Sequence, residues 1–287
     1  MNYRRRASPL HAARAGAGCG YCLALGCAAL MLSAPVALGA LTLAIVLAGV
    51  AAGVGRELRT AALLALPLGL LVAVINALVT RDGLTVIWRL GDLPILGHTD
   101  VTLEATVYGG VLGLRAVALV LCAALYTAAV DPDEVLRLFR RVSFRSALTA
   151  TLATRMVPIL ARDARRMADA QRCRPGRPPS RTALMRATSA GLLDRALDVA
   201  AALEIRGYGA ARRPPRAHHP YSRHDLAFLA CALAVLGLAA GGPIAGLVPF
   251  EAYPALHVPV PAAELGLAAA LVACSLAPFA DRRGIER

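Results

Sequence analysis

Apolar residues run through this chain in long blocks, and the polar residues gather between them. Residues 17 to 55 are apolar for nearly 40 positions, broken only at Ser33-Ala34-Pro35. A bilayer core of ~30 Å asks for ~20 mostly apolar residues per helix. The block therefore predicts two spans, about 17–33 and 36–55, with a tight turn at Pro35. Arg56, Glu57 and Arg59 form a short polar loop. A third span follows at 60–79, with Pro67 as its kink. Residues 81–106 are mixed and read as a loop with a re-entrant or interfacial segment, in which Trp88 fits an interfacial anchor. A fourth span covers about 106–130 and contains Arg115. After a long polar stretch come a fifth span, about 225–241, a Gly/Pro-rich loop, and a sixth span, about 263–279. The pattern predicts an all-α polytopic membrane helix bundle of about six spans.

The polar stretch, 131–223, has its own helical pattern. Asp131-Pro132-Asp133-Glu134 suits a helix start: an aspartate cap, proline in the first turn, and acids at the positive helix end. A short helix to Arg141 is expected there. From Arg145 to Arg174, Leu148, Leu152, Met156, Leu160, Ala164 and Met167 recur at spacings of four and three, which marks one helix face. On the opposite face Asp163/Arg166, Arg165/Asp169 and Asp169/Arg172 stand at pairing distance. Pro158 should bend this helix, and Pro175-Gly176 ends it. Ser180 or Thr182 then caps a second long helix to about Arg206. Its stripe is Leu184, Leu192, Val199 and Leu203, while Ala187, Ala190, Gly191, Ala196 and Ala200 allow a close neighbour. Gly207 ends it, as glycine does just past a helix terminus. Both long helices thus finish on an arginine beside a breaker.

Composition sharpens the assignment. The chain has 287 residues and is 57% apolar, with a mean hydropathy of +0.59. It carries a net charge of +13 with no lysine, and 19 of its 31 arginines lie in 131–223. With the N-terminus inside, the short inner segments hold nine arginines against two in the outer loop. That asymmetry predicts both termini and the 131–223 segment in the cytoplasm. Aromatic residues are 5% of the chain, too few for a base-stacking platform, so the charge does not point to nucleic acid. Arg4-Arg5-Arg6 before an apolar run resembles a signal peptide, but that run continues to Gly55, so an uncleaved first helix is expected.

Candidate chemistry is sparse. Five of the seven cysteines sit in apolar runs, where they pack as small hydrophobes, and Cys19-x-x-Cys22 is an isolated pair. His218, His219 and His224 are near one another but complete no metal site. No Gly-rich Lys-Ser/Thr phosphate loop is present. No cofactor is expected, and no acid, base or metal cluster assembles from Arg115, Asn76 and Glu104 to make a lipid-acting enzyme. Arg115 has two readings: a functional intramembrane charge, or a side chain packed against a carbonyl or carboxylate.

Several segments resemble a known family, the transmembrane T component of energy-coupling factor (ECF) transporters, the EcfT/CbiQ family. They are Ser8-Pro9-Leu10-His11, Asp131-Pro132-Asp133-Glu134-Val135-Leu136, Arg155-Met156-Val157-Pro158-Ile159-Leu160, Asp169-Ala170-Gln171-Arg172 and Glu204-Ile205-Arg206-Gly207-Tyr208-Gly209. The family's Ala-Arg-Gly-like triplets match Cys173-Arg174-Pro175 and Ile205-Arg206-Gly207. The departures are Cys173 and Ile205 for alanine and Pro175 for the first glycine, with Gly176 one step later. The resemblance implies a non-catalytic subunit of an ABC-type importer in the cell membrane. Two partner ATPase subunits would grip the cytoplasmic helices, and a separate membrane-embedded S component would carry a vitamin or a metal ion. It implies ATPase-coupling roles for Arg172, Arg174, Glu204, Arg206 and Gly207.

On this reading the chain divides into a cytoplasmic tail (1–16), N-terminal membrane helices (17–130), a cytoplasmic coupling-helix segment (131–223) and C-terminal membrane helices with a tail (224–287). The competing reading is a membrane-anchored regulator whose basic segment binds anionic lipid. It accounts for the charge but not for two arginine-terminated helices of similar length.

Overall fold

The computed structural model describes residues 3, 6–80, 85–93, 97–139, 144–173, 180–207, 221–245 and 262–281. A short helix α1 (Pro9–Ala12) leads into α2 (Ala15–Met31), α3 (Pro35–Ala51) and α4 (Gly55–Val79). A hairpin, β1 (Val86–Leu93) and β2 (Gly97–Thr102), precedes α5 (Leu103–Ala129). Then follow α6 (Pro132–Phe139), α7 (Phe144–Arg172), α8 (Arg181–Ile205), α9 (Arg223–Ile244), α10 (Ala262–Leu276) and a 3-10 turn at Ala277–Phe279. The chain forms two compact units, Met1–Val135 with Tyr221–Arg287, and Leu136–Pro220.

The first unit is a bundle of apolar helices. Among the described residues four of them, α4, α5, α9 and α10 with its 3-10 turn, are long and apolar enough to cross a bilayer. α2 and α3 have 17 residues each, at the lower end of what a span needs. The first break falls where the pattern places it: α2 stops at Met31, and Pro35 opens α3. The second comes earlier than expected, after Ala51, and Arg56, Glu57 and Arg59 form the start of α4 rather than a loop, with Glu57 at the positive helix end. At 81–106 the structure departs from the expected loop. Among the described residues there, the chain pairs antiparallel, with Trp88 opposite Val101 and Asp92 opposite His98. The Trp88 side chain lies outside the described residues.

α2 packs on α5 and α9, while α3 packs on α5 and α10. Tyr21, Leu25, Leu38, Leu41, Ile45, Leu125, Phe228 and Leu271 are fully buried. The Tyr21 hydroxyl donates to the Ser275 carbonyl at 2.9 Å. Its ring meets Phe228 edge-on at 5.2 Å and Phe279 at 6.3 Å, and such T-shaped packing ties α2 to α9 and α10.

α4 is held differently. It buries only Leu58, Ala65 and Gly69, and its main partner is α5. A Cβ on Gly69 would stand 2.9 Å from the Gly113 carbonyl oxygen, and one on Gly109 would stand 2.6 Å from that of Ala73. The two backbones touch along this line, a seam of the kind small residues make between apolar helices where lipid supplies no hydrophobic drive.

Arg115 lies mid-way along α5, and its Nη2 donates to the Leu32 carbonyl at 2.9 Å. Leu32 is the C-cap of α2, so the guanidinium satisfies the end of that helix. This is the carbonyl-packing alternative of the two readings.

Candidate functional site

The second unit holds the two long helices that end in arginine. α7 carries Pro158 in its interior, and the proline's carbonyl accepts from Arg162 Nε at 3.3 Å. Its half-buried face contains Leu152, Met156, Leu160, Ala164 and Met167, as the spacing predicts; the Leu148 side chain lies outside the described residues. α8 starts at Ser180, whose hydroxyl accepts from the Ala183 backbone at 3.2 Å. That settles the choice between Ser180 and Thr182. Leu184, Thr188, Leu192, Arg195, Val199 and Leu203 are its half-buried positions, so the predicted stripe is the packed one. Ala187, Ala190, Gly191, Ala196 and Ala200 are instead exposed. The close helix approach they suggested lies in the α4–α5 seam.

Two contacts fix the sense of the pair. Arg195 Nη1 bonds Asp163 Oδ2 at 2.6 Å. Four residues further along α7, Met167 Cε lies 4.0 Å from where a Gly191 Cβ would stand, four residues back along α8. The helices therefore run in opposite senses where they cross. Asp163 thus pairs across to α8, and its expected partner Arg166 is not the one it takes. The sequence shows only neighbours within one helix; a partner 32 residues away becomes visible only with packing. Of the other expected pairs, Asp169 and Arg172 stand 3.7 Å apart with side chains 71% and 82% exposed. In water such a pair contributes little.

The residues expected to couple to a partner sit at the two helix ends. Arg172 closes α7 and is exposed, as is Cys173 beyond it. Arg174 lies outside the described residues. At the other terminus Glu204, Ile205, Arg206 and Gly207 are all exposed, and Ile205 is 88% so. Arg206 is the C-cap of α8, and Gly207 adopts φ +75°, the left-handed conformation that ends a helix at little cost only for glycine. The Gly207 N–H returns to the Glu204 carbonyl at 2.8 Å, which sets the turn that carries the Arg206 guanidinium.

Measured from the Asp163–Arg195 contact at 1.5 Å per residue, Arg172 lies ~14 Å one way and Arg206 ~17 Å the other. The antiparallel sense separates the two ends by more than about 20 Å. Among the described residues no group of three His, Cys, Asp or Glu side chains could hold a metal ion.

Apolar helices of spanning length around a buried core make this a multi-pass membrane protein. A family model described as CbiQ, cobalt transport protein, matches residues 6–216, most of the chain. The chain belongs to that family, the EcfT/CbiQ family that the sequence resembles, and is a membrane component of a transport complex. No curated protein matches it.

Two acidic residues outside the expected coupling set also emerge: Glu134, expected to serve the start of its own helix, and Asp225. α2 begins at Arg14-Ala15, with no side-chain cap from its own flank. Its first N–H groups are taken by Asp225 and Glu134 from distant parts of the chain. The signal was present: a helix whose N-cap position is arginine needs an acceptor from elsewhere.

Proposed function

We propose that this chain is the transmembrane scaffold (T) subunit of an ECF-type ABC importer. It sits in the cell membrane with both termini and the 131–223 segment in the cytoplasm. Two ATPase subunits dock on the arginine-ended helices, Arg174 with Arg172 at one end and Arg206 with Glu204 and Gly207 at the other. A separate S component in the membrane binds the cargo, a vitamin or a metal ion, and ATP hydrolysis in the partners drives its uptake.

The observation that carries this reading is the placement of the two ends. They are exposed, arginine-bearing and directed apart along an antiparallel pair. A spacing beyond ~20 Å suits one dock per subunit rather than two contacts on one surface. A guanidinium at a helix C-terminus is favoured by the dipole and offers a planar fork of donors to an acidic or carbonyl acceptor.

Co-purification tests it. The native chain, tagged and co-expressed with a pair of ABC-type ATPase subunits from the same genome, should retain both. The double variant Arg174→Glu plus Arg206→Glu should lose them, since breaking a buried charge contact costs ~2–5 kcal/mol at each dock. Retention of the ATPases by the double variant at native yield would refute the assignment.

A further inference from the structure

The first turn of α2 is held from two places at once. The Arg14 N–H donates to Asp225 Oδ1 at 2.7 Å, and the Ala15 N–H donates to Glu134 Oε2 at 2.8 Å. Asp225 is fully buried and also accepts the Ser222 N–H at 2.8 Å, closing the capping box of its own helix α9. Arg14 Nε stands 3.4 Å from Asp225 Oδ2, and its guanidinium lies over the Tyr221 ring at 4.9 Å. Glu134 precedes by one residue the last position of the membrane unit before the 136–220 unit begins, and Tyr221 is the first position after it ends. Both covalent connections of that unit therefore meet one helix terminus.

We infer that Glu134 and Asp225 are positioning residues for energy coupling: they fasten both chain ends of the 136–220 unit to the N-terminus of α2, through which load on that unit reaches the bundle. This rests on the proposed T-subunit reading. Two carboxylates satisfy orphan N–H groups at the positive end of a helix, the placement the macrodipole favours. α2 is buried along most of its length and packs on α5 and α9, so it moves only with its neighbours. A pull on either connection is thus delivered to the same two peptide groups.

The test uses Glu134→Ala, which removes the acceptor, and Glu134→Gln, which keeps it without the charge. Hydrogen exchange is read in detergent on the full chain alone and on its complex with the ATPase subunits, with and without ATP plus vanadate. In the chain alone, Glu134→Ala should speed exchange in residues 132–139 and in the first turn of α2 by about tenfold, the factor such a bond carries, and Glu134→Gln should not. In the complex, Glu134→Ala should keep its ATPases and hydrolyse ATP, yet lose the nucleotide-dependent change in α2 that the native chain and Glu134→Gln show. Asp225→Asn, which keeps one acceptor and loses the other, should reproduce the loss from the α9 side and serves if Glu134→Ala does not fold. Equal exchange in both Glu134 variants, or an unaltered ATP response in Glu134→Ala, overturns the proposal. A native chain that retains no ATPase overturns the T-subunit reading instead, and the measurement on the chain alone still decides the fastening.

Discussion

Arg195 Nη1 lies 2.6 Å from Asp163 Oδ2, and this pair joins α8 to α7 where the two cross. The side chains are 43% and 30% exposed, so water and salt screen the attraction. A double-mutant cycle with Asp163→Ala and Arg195→Ala should give a coupling of ~0.2–1 kcal/mol. Thermal unfolding of the full chain in detergent reads it, and the coupling should shrink at high ionic strength. A coupling several times larger would mean the pair is far drier than its exposure indicates.

The α4–α5 seam supplies its own control. Gly113→Ala places a Cβ against the Gly69 carbonyl, whereas Gly110→Ala, three residues away, meets nothing within 4 Å. Forcing backbones apart costs ~1–3 kcal/mol, and glycine-to-alanine in an open helical position gains up to ~1 kcal/mol. Gly113→Ala should therefore lower the unfolding temperature and Gly110→Ala should leave it equal or raised. The same sign from both would contradict the close approach.

Tyr21→Phe removes one hydroxyl from a fully buried ring and leaves the contacts with Phe228 and Phe279 in place. The lost bond to the Ser275 carbonyl should cost ~1 kcal/mol. Tyr21→Leu should cost more, because the edge-to-face packing goes with it. Ranking the two by thermal denaturation separates the polar contribution from the aromatic one.

Gly207→Ala meets no steric obstacle but must hold φ near +75°. The strain is ~1 kcal/mol, and the last turn of α8 should fray, seen as faster hydrogen exchange at Arg206 and Gly207. Gly207→Asn, a residue tolerant of this conformation, should recover much of the protection.

Much of this architecture is written in run lengths and spacings. The spans follow from apolar blocks cut at Pro35 and just before Arg56, because the bilayer sets a length that the block either meets or does not. The stripes of α7 and α8 follow from spacings of four and three, because one face had to be covered. What stayed hidden depends on partners far along the chain. Asp163 had an arginine three residues away and took one on another helix. Glu134 looked like an acid serving its own helix, and its carboxylate caps α2 instead. Gly109-x-x-x-Gly113 has the spacing of a close helix contact and makes one, whereas the small residues of α8 have similar spacings and face outward. The hairpin at 86–102 is too short for alternation to stand out from a loop.

The opposed directions of α7 and α8 have a mechanical consequence. Equal thrusts delivered at Arg172 and Arg206 act on opposite sides of one pivot, near the Asp163–Arg195 contact. Thrusts of the same sense there would add as translation and oppose as torque, whereas thrusts of opposite sense would form a couple that swivels the pair. With arms of ~14 Å and ~17 Å from that contact, the two ends have nearly equal leverage.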